Sequence, residues 1–571
     1  MKKVALLFGC AVVLFATYLF AFEVKKPKPG TVRGASAAVT CSWQADVTDA
    51  DTTARGKFIA LLPGWGNYNY PIATASDSTR LYFNQGLTLY YSYHMKEAFA
   101  SFKEAARFDP AAPMVYWGQA LSLGPYYNAG GAYIAPAALP AVLKQMNVAA
   151  AGATGKEKEL LRVMSLRYPQ GGIALADNGA YAQGMRKLID AYPSDVDIRM
   201  LYIDAVMLIH PWDFWESDGR AKAWTPELVE LCKAVLITNP NHPAALHYYI
   251  HLTEASRNPE VAADNAQALK TLFPGVAHMV HMASHVYQRT GLYFQGVDAN
   301  VKAEKSAALY AGLAKNIASA KSNPHVLAVE TYCAFSGAMY QKAMDAALRC
   351  RKSVTPSAVD NYSQYLYMMP VFTMVRLGKW HELLKDSTAI NPGWRYACIL
   401  NNFARGLAFL YTGEPDSAAV QLQLLRDKLG GPALKARRIP FNTAFEGASI
   451  AENMLDGAIL LGRNKYDDGM ACLKKAMAIE DAMIYTEPAD WPIPVRQFLG
   501  AYLLKSDYNP QAEQVYREDL ERNPGNGWSM LGMYQSLKAQ NRKEKLAYYK
   551  AGFLRSFSHA DVAPVSSVFM N

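Results

Sequence analysis

Cysteine is scarce in this chain: seven among 571 residues, at positions 10, 41, 232, 333, 350, 398 and 472, with no CxxC pair. That excludes a zinc ribbon, a thioredoxin-like site and c-type haem attachment, and it leaves too few thiols for a disulfide framework. Charge is also modest, at 19% of residues with a net +9. No long Lys/Arg run follows the N-terminus, so the basic patch or stripe of a nucleic-acid binder is missing, and no nucleic-acid partner is expected. A Gly-rich phosphate loop, an H-E-x-x-H helix and a nucleophile elbow are absent as well, so no catalytic residue is assigned from motifs. Beyond the first 22 residues no apolar run is long enough to cross a bilayer, which excludes a polytopic membrane protein. What is present is a chain that is 51% hydrophobic. It is too apolar for disorder and longer than one core of roughly 250–300 residues supports.

Met1-Lys2-Lys3 precedes an uncharged, largely apolar run over residues 4–22. Two lysines followed by such a run mark an export signal, and its length also suits a retained signal anchor. Residues 1–22 are therefore expected to be a signal peptide or anchor, and residues 23–60 a polar tether rich in Lys and Pro at its start. The expected location is a bacterial envelope, periplasmic or membrane-anchored through the N-terminal segment.

The body, residues 61–555, is rich in Ala and Leu at helical spacing, and a period of 34 runs through it. Tyr82, Gly86, Ala98, Phe102, Ala105 and Pro110 mark one unit, and Gly500, Ala512, Tyr516 and Pro524 another. Trp528-Ser-Met-Leu531-Gly532 opens a further copy, and weaker ones surround Gly406/Ala418/Leu422 and Gly457/Leu473/Ala476. These offsets reproduce the tetratricopeptide pattern: small residues let two antiparallel helices pack closely, and Pro ends the second helix. The expected fold is all-α, a right-handed α-solenoid of helix hairpins in which each unit buries its apolar face on its neighbours. Two segments break the period and read as insertions: 124–154, rich in Gly, Ala and Pro, and 210–226, with three tryptophans. The latter is either a lid on the core or a binding wall. Residues 556–571 read as a C-terminal tail.

Histidine is unevenly placed. Seven of eleven fall between His242 and His325, within the repeats at 241–305 and the start of the next. His247 and His251 are spaced i,i+4, as are His281 and His285, and the two pairs are 34 residues apart. They therefore occupy the same positions of consecutive repeats, on the first helix of each unit, which lines the concave wall. Residues i and i+4 are neighbours on a helix surface, and adjacent helices pack about 8–10 Å apart. Imidazoles from both can converge on one ion at roughly 2.0–2.1 Å. The same register brings Glu254, His278 and His325 towards the cluster as a second tier, with Asp204 on the preceding helix as a further carboxylate. Gln288, Arg289 and Tyr332 line the same groove. Imidazole donors suit Zn, Cu, Fe or Ni.

The longer stretches resemble a family of exported bacterial tetratricopeptide-repeat proteins of unassigned function. The resemblance is carried by Tyr82-Phe-Asn-Gln-Gly-Leu, Tyr116-Trp-Gly118, His210-Pro-Trp-Asp-Phe-Trp215, Asn241-His-Pro-Ala-Ala-Leu-His-Tyr-Tyr-Ile-His251, His278-Met-Val-His-Met-Ala-Ser-His-Val-Tyr287 and Glu487-Pro-Ala-Asp-Trp491. It spans about Leu62 to Lys550 and implies a repeat fold with a His-lined centre. This chain departs from it at Gly66–Pro71, where relatives often carry His, and at Pro324-His325-Val326, where they tend to show Pro-His-Asn. That departure leaves His325 outside what the resemblance supports.

Three functions fit these residues. The first is a concave groove in which His247, His251, His281 and His285 bind a divalent transition metal. The second is an interaction scaffold whose groove holds a protein or peptide partner without metal. The third is a metal-dependent enzyme using the same His/Glu cluster.

Overall fold

A computed structural model describes residues 56–570 apart from 130–132, 173–174, 316, 319–322 and 437–441. The expected signal segment and most of the tether, with Cys10 and Cys41, lie outside the described residues. The described residues form 25 α-helices and no strand, with an isolated bridge between Trp215 and Ala221. None of these helices is long and apolar enough to cross a membrane.

The helices pair in sequence, each with the next, as the repeat pattern requires. The reason is visible at Phe102. Its ring lies between Gly86 and Gly118, and a Cβ at either glycine would fall 2.9 or 2.4 Å from it. Tyr516 repeats the arrangement between Gly500 and Gly532. Each aromatic of a second helix thus fills a notch cut by glycine in two first helices, which sets how closely three helices approach.

Local signals start the helices that matter for function. Ser76 caps Asp77–Tyr91, its hydroxyl accepting from Thr79 N. Pro243 and Pro324 occupy the first turns of Pro243–Thr253 and Pro324–Ser336, where a missing N–H costs nothing. Gly291, at φ +73°, closes Ala277–Thr290 in the left-handed conformation that suits glycine.

Segments distant in sequence then cover the repeats. Leu62 N donates to Gln85 Oε1 and Tyr70 N to Asn84 Oδ1, tying residues 62–70 along Asp77–Tyr91. Gly275 N donates to Gly64 O, an approach so close that a Cβ on Gly275 would lie 2.0 Å from Pro63 O. The segment at 210–226 folds over the end of Pro243–Thr253, where Trp215 Nε1 donates to Leu252 O. Near the C-terminus, Gly525 N donates to Arg289 O, and Ser567 joins Tyr516 to the Gln497 carbonyl.

Candidate metal centre

Three consecutive first helices carry the histidines. His247 and His251 lie on Pro243–Thr253; His278, His281 and His285 on Ala277–Thr290; His325 on Pro324–Ser336. They assemble into two trios, His247/His251/His278 and His281/His285/His325, each with its three donor nitrogens within 4.8 Å of one another. In the first, Nε2 of His247 lies 3.1 Å from that of His251 and 3.0 Å from that of His278. In the second, Nε2 of His281 lies 3.0 Å from that of His285 and 3.1 Å from that of His325. The second trio is the first carried forward by one repeat. Across the two, ring centroids of His251 and His285 are 6.0 Å apart, and those of His278 and His281 5.9 Å.

The other ring nitrogens face acceptors. His247 Nδ1 meets the Tyr91 carbonyl at 2.7 Å. His251 and His285 direct Nδ1 to the two oxygens of one carboxylate, Glu254, at 2.9 and 2.8 Å. His281 Nδ1 meets Asn300 Oδ1 at 2.6 Å, and the Asn300 amide is oriented by its Nδ2 donating to Gly296 O. A carbonyl or carboxylate oxygen only accepts, so in the neutral form of these four rings the proton resides on Nδ1 and Nε2 carries the lone pair. At His247–His251 and at His281–His285, two lone pairs therefore face each other across about 3 Å with no proton of their own between them.

All six rings are buried, none more than 7% exposed. Burial, then the neighbouring imidazoles, holds His247 and His278 well below the ordinary imidazole range. Burial, then His285, brings His281 down to about 3. His251 is lowered by burial, with Glu254 opposing. Burial alone would raise Glu254, but the charges and N–H groups of His251 and His285 outweigh it and hold the carboxyl below its usual range. Glu487 lies against it. Burial and then the Glu254 carboxylate push Glu487 well above the usual range, and its Oε1 is buried without a hydrogen-bond partner.

Aromatic rings wall the trios. Tyr93 stands 4.6 Å from His247, 5.5 Å from His278 and 6.1 Å from His251, centroid to centroid, on a backbone at φ +57°. A bulky residue in the left-handed region is strained, and such strain tends to be held where a side chain must be aimed. Tyr127 packs 4.9 Å from His251 and is backed by Trp212 at 4.2 Å, so both irregular segments contribute to the wall.

Placement differs from the sequence expectation in several respects. His278 and His325, expected in the second tier, stand in the trios on equal terms with the other four rings. Glu254 orients imidazoles from the outer side. Asp204 belongs to neither trio: its Oδ2 accepts from Tyr90 at 2.6 Å, and it is buried beside Arg167, which opposes the upward pull of burial on its carboxyl. The imidazoles do not line an open groove either: all six are buried, with Tyr127 and Trp212 beside His251 and Glu487 against Glu254. Gln288, Arg289 and Tyr332 border a separate cavity further along the same helices. His242 caps Pro243–Thr253 and faces Asp197 and Tyr68, outside both trios. The acceptors Tyr91 O and Asn300 and the ring of Tyr93 carried no sequence signal, and Glu487 stood in a quoted motif with no role assigned to it.

No protein-family model matches the chain, and no curated protein matches it. Among solved structures it is loosely similar to the human IFIT1 dimer with m7Gppp-AAAA, at 12% identity and a TM-score of 0.29, over 85% of this chain and 91% of that one. Yeast Tom70 scores 0.30 at 12% identity over 86% of this chain and 91% of its own. The P58(IPK) TPR domain scores 0.17 at 12% identity over 64% and 97%. At such scores the likeness carries nothing about function, which must be argued from the side chains.

Proposed function

We propose that the chain is a transition-metal protein that holds one ion in each imidazole trio. The observation that carries this reading is the pair of opposed Nε2 lone pairs, His247–His251 and His281–His285. Such an arrangement is repulsive unless a cation lies between, and burial disfavours a proton in that place at His247, His251 and His281. A metal ion bound at about 2.0–2.1 Å to two imidazoles in tetrahedral geometry separates them by roughly 3.4 Å. The observed 3.0–3.1 Å needs only small ring movements to reach it.

The outer partners support the same reading. Metal-bound histidines usually donate their second N–H to a carboxylate or a carbonyl, which fixes the tautomer. Here Glu254 serves one ring of each trio. Six imidazoles without thiolate or water-exposed carboxylate donors suit Zn, Cu, Fe or Ni rather than Ca or Mg. Three protein ligands leave a fourth position open on each ion, the pattern of sites that activate a bound molecule rather than of closed structural sites. A metal-dependent enzyme is thus the natural extension of this reading. A peptide-binding groove gains less support, since no imidazole reaches the surface. An N-terminal export segment is consistent with loading in the bacterial envelope.

The test is metal content of protein purified without a His tag and loaded in turn with each of the four metals. Two ions per chain are expected, with His278→Ala and His325→Ala each removing one. Failure of every metal to bind stoichiometrically would overturn the reading.

A further inference from the structure

Beside the centre, and separated from it by Tyr127 and Glu487, is a cavity of about 350 Å³. That volume lies within the range of small-molecule sites. Its walls combine flat rings, Trp212, Trp215 and Tyr485, with a group of guanidinium ions, Arg257, Arg289 and Arg522.

Over the whole lining the charges balance, since Asp490 and Asp519 also border the cavity and accept from the Asn442 and Asn523 amides, but the pairing is uneven. Arg496 is held bidentately by Asp481 at 2.6 and 2.8 Å, and Arg522 shares that carboxylate at 3.2 Å. Asp213 and Glu216 are both taken by Lys222. Glu480 is raised to about 8, by burial and then by Asp519, and so is largely uncharged at neutral pH. Arg257 and Arg289 have no carboxylate partner among the described residues. Arg257 donates to the Ser217 carbonyl, and Arg289 to Asn523 Oδ1 and the Ser256 carbonyl. Arg289 Nε is buried with no hydrogen-bond partner. Like-charged Arg522 and Arg289 lie close enough to Arg257 that, after burial, they oppose its protonation. Arg257 and Arg289, with no carboxylate at ion-pair distance among the described residues, make their part of the wall suited to an anion, because an unpaired, partly buried charge is costly until a counter-charge arrives. The planar fork of a guanidinium matches a carboxylate, and Trp faces match an aromatic ring.

We propose that this cavity binds a small aromatic carboxylate, its anionic group held by Arg257 and Arg289 and its ring against Trp212 and Trp215. The site goes beyond the metal reading and does not depend on it. Arg289 is four residues past His285 on Ala277–Thr290, and Tyr485 and Glu487 share one loop, so the occupant is held against the wall of the metal centre.

Tryptophans in the cavity wall supply the readout. Full-length protein is titrated with benzoate, with its neutral counterpart benzamide, and with a peptide bearing a free C-terminal carboxylate, and intrinsic fluorescence is followed. Saturable binding of benzoate is expected, weakened roughly tenfold or more by Arg257→Gln and by Arg289→Gln, with benzamide failing to compete. Arg257 is the more peripheral of the two, so its variant remains informative if Arg289→Gln does not fold, as judged by circular dichroism. The same benzoate affinity is expected in metal-stripped protein, so loss of the metal reading alone leaves this result standing. Absence of saturation with benzoate, equal binding of benzamide, unchanged affinity in a folded Arg257→Gln variant, or binding of the peptide in place of benzoate would each overturn the proposal.

Discussion

Replacing Glu254 by glutamine tests the tautomer argument with the loss of a single oxygen. The carboxylate accepts from His251 through one oxygen and from His285 through the other, at 2.9 and 2.8 Å. Glutamine keeps one acceptor and turns the second oxygen into a donor. One imidazole therefore retains its Nδ1 proton and its inward lone pair. The other faces an N–H group and is driven to the opposite tautomer, which places a proton on Nε2 and removes it as a ligand. Because His251 and His285 belong to different trios, Glu254→Gln should spare one ion and weaken the other. Loss of such an outer partner costs about 10–100-fold in metal affinity, or about 1.4–2.7 kcal/mol. The assay is a competition titration against a chromophoric chelator, with total metal measured independently. Wild type should titrate as two tight equivalents, and the variant as one tight and one weakened. Two equivalents at wild-type affinity in a folded Glu254→Gln protein would refute the reasoning.

Three further outcomes follow from the same geometry. Asp204→Asn should leave metal content unchanged, since Asp204 faces Tyr90 and Arg167. It should destabilise the fold by about 1–3 kcal/mol in urea unfolding by disturbing the buried carboxylate that accepts from Tyr90 near Arg167, whereas loss of metal from the folded variant would restore Asp204 to the centre. The metal-free protein should lose stability as pH falls below about 6.5, because unfolding releases His247, His278 and His281 from lowered pKa values and the unfolded chain then binds more protons. Thermal unfolding between pH 7.5 and 5 checks the sign, and a melting temperature that rises on acidification would contradict it. Gly118→Ala would place a Cβ 2.4 Å from Phe102 and should cost about 1–3 kcal/mol, read as a lower urea midpoint with metal stoichiometry retained; an unchanged midpoint would refute the notch argument.

The repeat architecture was legible because the packing rule is local: an aromatic ring needs two glycines, and Phe102 and Tyr516 find them at fixed offsets. The paired histidines were legible for the same reason, since a copied helix copies its i,i+4 face. His278 and His325 were harder to place. Each completes a trio begun on the preceding helix, but His278 lies 27 residues after His251 whereas His325 lies 40 after His285. The longer helix Tyr293–Leu313 and the connection after it take up that difference, so register placed both rings on the right face but only as a second tier. Asp204 was misplaced because helical register says which face a carboxylate shares, not which neighbour claims it; a buried arginine and a tyrosine hydroxyl claimed this one. The enclosure was legible only at 210–226, read as a lid or a binding wall. Glu487, more than 150 residues past the last of the six histidines, is tied to them by no periodicity. The lone-pair opposition also needed coordinates, since it rests on a main-chain carbonyl at Tyr91 and an amide at Asn300.

The most direct measurement of the central claim is anomalous X-ray diffraction from crystals of the metal-loaded protein, recorded at the absorption edge of the bound element. Two peaks are expected per chain, each about 2 Å from three Nε2 atoms, one among His247, His251 and His278 and one among His281, His285 and His325. A loaded protein whose anomalous peaks lie away from both trios, or that shows none, would contradict the account.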